Sequence, residues 1–178
     1  TAVGAAIGTA VGAGTGALIG KHMDKVKAEA EAVKNAQVQT VTDANGLQAV
    51  KVTFDSGILF DTNKADLKPA AKTSLTKFAE VLKNNTDCDV AIYGHTDNTG
   101  NDAINMPLSK NRAASVQNFL SNLGVSAGQF KAVDGQGSTN PVADNTTAAG
   151  RQQNRRVEVY MYASANMINA ANNGTLNK

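Results

Sequence analysis

Cysteine is almost missing from this chain of 178 residues: Cys88 stands alone, which excludes an intrachain disulfide and any CxxC motif. It reads as a small apolar residue opening a strand. Histidine is as scarce, and His22 with His95 cannot supply the ligand spacing of a metal site. The chain lacks a G-x-S-x-G elbow, and although His95 and Asp97 lie close together with Ser109 downstream, nothing in the pattern assembles them into a triad. His95 is therefore read as structural, and no enzyme, metal or cofactor is expected. An excess of one charge is lacking too: 17 Lys and Arg face 15 Asp and Glu, which leaves no electrostatic footprint for nucleic acid. The chain opens on Thr1 rather than a methionine, the pattern of a processed or trimmed product whose signal peptide or lipid-bearing cysteine would lie upstream.

Charge is also absent from Thr1 to Gly20, where Gly4, Gly8, Gly12, Gly16 and Gly20 recur every fourth residue among Ala, Val, Ile, Leu and Thr. On a helix these glycines form one stripe, and a helix of that span would be about 30 Å long, close to the hydrocarbon thickness of a bilayer. Glycine destabilises a helix by about 1 kcal/mol per residue against alanine, so the repeat needs a compensating gain. Close approach of a second backbone supplies one. Residues 1–20 are thus expected to be a membrane or helix-packing segment, able to join copies of the chain; a flexible Gly/Ala-rich tether is the other reading.

Residues 21–38 turn abruptly polar. Met23, Val26, Ala30 and Val33 give only a thin apolar stripe and Lys27 can pair with Glu31, so a solvated helical stalk is expected. Residues 39–163 read as the globular domain. Asn45-Gly46 marks a hairpin turn, and Val50, Val52 and Phe54 alternate with polar residues as a half-buried strand requires. Pro69 suits a first helical turn, followed by Leu75, Phe78, Ala79 and Leu82 at helical spacing. Strands are expected at 89–93, 130–133 and 157–162, with a helix over 108–123 closed by Gly124. The alternation implies an α/β sandwich: a mixed sheet with helices on one face. Residues 164–178 lack durable periodicity and are expected to be disordered or peripheral.

One residue in this pattern is out of place. Arg112 shares a helical stripe with Leu108, Val116, Phe119 and Leu123, so its guanidinium faces inward, where an unpaired charge is expensive. The nearest source of an anion is Asp97 in the loop GHTDNTG, beyond the end of a strand, where α/β sheets commonly open ligand crevices. The pair is either a plain salt bridge or the two poles of a binding site.

Four segments carry a resemblance. ILFDTNKADLKP at 58–69, GHTDNTG at 94–100, NMPLSKNRAASV at 105–116 and NRRVEV at 154–159 closely resemble the OmpA-like peptidoglycan-binding domain, found at the C-terminus of outer-membrane porins and in Pal and MotB proteins. The glycine repeat ahead of it resembles YiaD-type envelope lipoproteins. The resemblance implies an OmpA-C-like fold and noncovalent binding of the diaminopimelate residue of the peptidoglycan stem peptide. By the same resemblance, Asp97 takes the ligand's ammonium and Arg112 its carboxylate, while Asn63, Thr99, Asn105 and Arg155 line or support the pocket. Three of these four have a plainer reading. Asn63 suits a turn and Asn105 a cap or loop tie. Arg155 and Arg156 adjoin a strand, so only one addresses the pocket and the other is expected at the surface. The expected role is a tether between a bacterial membrane, the outer rather than the inner, and the wall, with the domain in the periplasm. The alternative is an oligomeric structural envelope protein assembled through the glycine helix.

Overall fold

Alternation along the strands decides which face of the sheet is buried. In a computed structural model that describes residues 3–4 and 8–176, Val50, Val52 and Phe54 of β2 (Gln48–Asp55) point into the core, and β1 (Ala36–Thr42) pairs with it antiparallel. The hairpin turns at Asn45-Gly46 as expected: Gly46 takes a left-handed φ of 75°, and the Asp43 carboxylate accepts from the Asn45 and Leu47 amides at 2.8 and 3.0 Å. The sheet is completed by β3 (Cys88–His95), β4 (Phe130–Gly135) and β5 (Arg156–Ala163) in the order β1-β2-β5-β3-β4. Only β3 and β4 run parallel, so the sheet is mixed. Cys88 opens β3 with its thiol buried, and burial pushes its pKa well up, which leaves it unreactive.

The helices are α1 (Thr15–Glu31), α2 (Ser56–Leu59), α3 (Pro69–Asn84), α4 (Asp102–Asn122), α5 (Ala148–Asn154) and α6 (Ala165–Asn172). Helices α1, α3, α4 and α6 pack their apolar residues with the inward face of the sheet in one core, in which the Phe54 and Phe78 rings meet edge to face at 5.6 Å. Each such side chain removed from water contributes about 2 kcal/mol. The other face of the sheet carries a smaller cluster of Val3, Ala49, Ala91 and Tyr162.

Three expectations need correction. Residues 8–14 are not helical, and Gly4 and Gly14 take left-handed φ values of 81° and 79°, so a continuous helix over residues 1–20 does not form; its residues 1–2 and 5–7 lie outside the described residues. Among the described residues no helix is long and apolar enough to cross a membrane. Of the stretch read as a polar stalk, residues 21–31 belong instead to α1, whose Ile19, Met23, Val26 and Ala30 are fully buried, and residues 36–38 open β1. The thin stripe suffices because each of its side chains enters the core. The tail is folded as well: Ser164 caps α6 through the Met167 amide at 3.1 Å, and Met167, Ile168 and Ala171 enter the core.

Helix α4 sets the geometry of the site. It starts earlier than expected, at Asp102, because the Asn101 side chain accepts from the Ile104 amide at 3.2 Å. Pro107 then sits inside the helix, where it forgoes a single backbone bond. The helix crosses the sheet where glycines leave room. A Cβ at Gly94 would lie 2.1 Å from the Ser109 carbonyl oxygen, and one at Gly135 would lie 2.3 Å from the Lys110 nitrogen. The Ser109 hydroxyl donates to the Met106 carbonyl at 2.9 Å and accepts from the Gly137 amide at 3.0 Å, locking the helix onto the strand ends.

Candidate functional site

Asp97 leaves the end of β3 on a loop that curls back toward α4. Its carboxylate accepts from the Thr99 amide at 2.8 Å, a local Asx turn, and from the Arg155 Nη1. Asn105, in the first turns of α4, donates its side-chain amide to the Thr99 carbonyl at 3.0 Å. Asn105 is therefore the loop tie, and Asn101 is the cap. Burial alone would raise the Asp97 pKa, but the hydrogen bonds from Thr99 and Arg155 and the Arg155 charge outweigh it and hold the carboxyl below its ordinary value.

Arg112 faces inward as its stripe requires and is only 5% exposed. Its Nε donates to the Lys64 carbonyl at 2.9 Å, its Nη2 to the Asp61 carbonyl at 3.3 Å, and the guanidinium lies 5.0 Å from the centre of the Phe60 ring. Those carbonyls belong to a turn in which Lys64 donates back to Asp61 at 3.1 Å and Asn63 takes a left-handed φ of 57°. Asn63 is thus a turn residue that aims backbone oxygens at the arginine. Among the described residues no carboxylate forms an ion pair with Arg112, and Asp97 bonds to Arg155 instead. The plain salt bridge between Asp97 and Arg112 is absent. Burial lowers the Arg112 pKa first, and the positive charge of Arg155 lowers it further, which places the two arginines within electrostatic reach. The Arg155 charge is answered by Asp97, whereas the Arg112 guanidinium is met by carbonyl oxygens and a ring.

The neighbouring arginine differs from its expectation. Arg156 is buried rather than at the surface, because β5 turns it onto the face opposite the helices, where its Nε and Nη2 bind Glu158 at 3.2 and 3.0 Å. Lys51 lies 3.3 Å and His95 Nε2 3.4 Å from the same carboxylate. Burial, reinforced by Arg156, lowers the His95 pKa to about 4, so the imidazole is neutral at pH 7 and serves the network. Ser109 is fully buried, with its hydroxyl engaged by backbone groups. The residues missed by sequence reasoning are Gly94, Gly135 and Ser109, which position the helix. Their signal was available as glycines at two strand ends.

Residues 59–155, more than half of the chain, match the model of the OmpA family, and residues 1–27 match that of the glycine zipper. The chain is 38% identical over 141 residues to the Escherichia coli protein named "Probable lipoprotein YiaD", covering 79% of this chain and 63% of that protein. It is 44% identical over 111 residues to "Peptidoglycan-binding protein ArfA" of Mycobacterium tuberculosis, covering 62% of this chain and 34% of that one. Among solved structures, the cell wall anchor of the T6SS from Pseudomonas aeruginosa superposes with a TM-score of 0.65 at 28% identity, covering 80% of this chain and 97% of that chain. The chain therefore spans less than two thirds of either curated relative. With the mixed sheet, the loop acid and the inward arginine in place beside these matches, the chain belongs to the OmpA family.

Proposed function

We propose that this domain binds peptidoglycan noncovalently and tethers a bacterial membrane to the wall, gripping the zwitterionic end of diaminopimelate in the stem peptide. The observation that carries the reading is Arg112: a buried guanidinium held by carbonyls and a ring but given no carboxylate. Leaving such a charge uncompensated is unfavourable unless an anion arrives, and a planar guanidinium suits a carboxylate. Asp97 is an acid held below its ordinary pKa and therefore suited to an ammonium. Thr99 and Asn105 hold the acid's loop, and Asn63 shapes the turn that orients Arg112. The names of two relatives, one a peptidoglycan-binding protein and one a cell wall anchor, support binding to the wall.

Few contacts reach one small ligand end, so affinity for a single stem peptide is modest and a polymeric wall raises it by multivalency. The envelope is the setting, with the domain in the periplasm and the outer membrane the nearer anchor, in keeping with the lipoprotein relative. Cosedimentation with purified sacculi tests the proposal. Asp97→Asn and Arg112→Gln should each weaken binding at least about tenfold, the loss expected for one charge-assisted contact, without loss of cooperative melting. Undiminished binding by both variants contradicts it.

A further inference from the structure

We infer that Arg155 is an internal stand-in for the ligand's ammonium, occupying Asp97 in the free protein and leaving when the ligand arrives. This rests on the diaminopimelate reading above. Arg155 follows α5, fixed by its backbone amide on the Arg151 carbonyl at 3.1 Å, while its side chain remains 41% exposed. Among the described residues that guanidinium bonds to nothing but Asp97. It can therefore swing into water without breaking any other hydrogen bond. Asp97 is the opposite case, a mostly buried acid whose other oxygen is fixed by Thr99. A cation is held against this acid by the mobile partner, not by the rigid one.

Charge favours the exchange. Arg112 already feels the unfavourable field of Arg155, so an arriving carboxylate on Arg112 and an ammonium on Asp97 relieve that repulsion as Arg155 departs. One ion pair at Asp97 replaces another, and the net gain from the ammonium is small. Arg155 accordingly limits affinity and blunts discrimination between a zwitterion and a simple carboxylate, which can bind Arg112 without displacing it. It is a specificity-setting residue that weakens binding by competing.

Calorimetric titration of the full chain and of Arg155→Gln, with meso-diaminopimelate and with its N,N′-diacetyl form, tests this. The variant should bind meso-diaminopimelate about threefold tighter, in the range expected for removing an exposed ion pair. The diacetyl form, which has no ammonium, should gain nothing. Binding of meso-diaminopimelate should also become more sensitive to salt in the variant, because it then creates an ion pair at Asp97 rather than exchanging one. Equal or weaker binding by Arg155→Gln, with Arg112→Gln still losing the ligand, overturns the competitor role and leaves the site reading intact. Wild-type affinity in Arg112→Gln removes the site reading itself, and the competitor role with it.

Discussion

Arg112 and Arg156 are buried to nearly the same extent, 5% and 3% exposed, yet their charges are answered differently. Arg156 meets the Glu158 carboxylate through two nitrogens and gives two further N–H donors to the Asn154 and Asn140 carbonyls at 3.1 and 2.9 Å. Burial alone would push the Glu158 carboxyl up, but Arg156, His95, Lys51 and the Tyr160 hydroxyl together bring it below its ordinary value. There the buried guanidinium has a carboxylate of its own, and the pair contributes to the fold. Arg112 is held in place by neutral groups only, so its charge is still available. A buried charge with its counter-ion is structural. A buried charge positioned without one, as at Arg112, is what the proposed ligand's carboxylate would meet.

The comparison breaks most visibly at Arg156. Arg156→Ala leaves Glu158 with weaker partners and should lower stability by about 3 kcal/mol in urea unfolding, the scale of a broken buried ion pair. If Arg112→Ala destabilises the fold as much, the distinction between the two regions is lost. Next in size is Gly94→Ala, whose methyl would collide with the Ser109 carbonyl and push α4 outward. A loss of about 2 kcal/mol is expected from such overpacking, together with weaker sacculus binding as Arg112 shifts. A variant with normal stability and binding would show that α4 needs no close seat.

The smallest effect at neutral pH belongs to His95→Gln. His95 holds its folded-state pKa at about 4 against an ordinary 6.5, so between these values the unfolded chain takes up a proton that the native protein refuses. Stability contributed by the neutral imidazole is intact above pH 6.5 and falls as pH drops toward 4, by at most about 1.4 kcal/mol per unit. The variant should match wild type at pH 7 and show a flatter decline below pH 6.5. Parallel pH profiles would remove His95 from the network.

Much of this was legible in the sequence where side chains are large and regularly spaced. Strands β2 to β5 and helix α3 announced themselves through Val, Ile, Phe and Leu at periods that match their structures. Helices α1 and α6 were not legible as core elements, because their large buried residues, Ile19, Met23, Met167 and Ile168, are few and stand among small and polar residues, which leaves a weak period even when they are fully packed. Pro107 masked the true start of α4, since a proline reads as a first-turn residue although a capped helix can carry it farther in. At the site, the inward direction of Arg112 followed from its stripe, while the roles proposed for Asp97, Arg112, Asn63, Thr99, Asn105 and Arg155 rest on motif resemblance. The partnership of Asp97 with Arg155 spans 58 residues and is not encoded by any local spacing. Nor could strand alternation alone tell that Arg156 would be buried, because the carboxylate that allows it, Glu158, lies two residues farther along the same face.

The central claim is that Arg112 is the open cation of this site. Its Nε–H resonance, followed by nitrogen-proton NMR while meso-diaminopimelate is added to the full chain, tests this most directly. The account predicts a saturable downfield shift of the Arg112 signal with no matching change at Arg156. Saturable binding of the ligand that leaves Arg112 unmoved would contradict it.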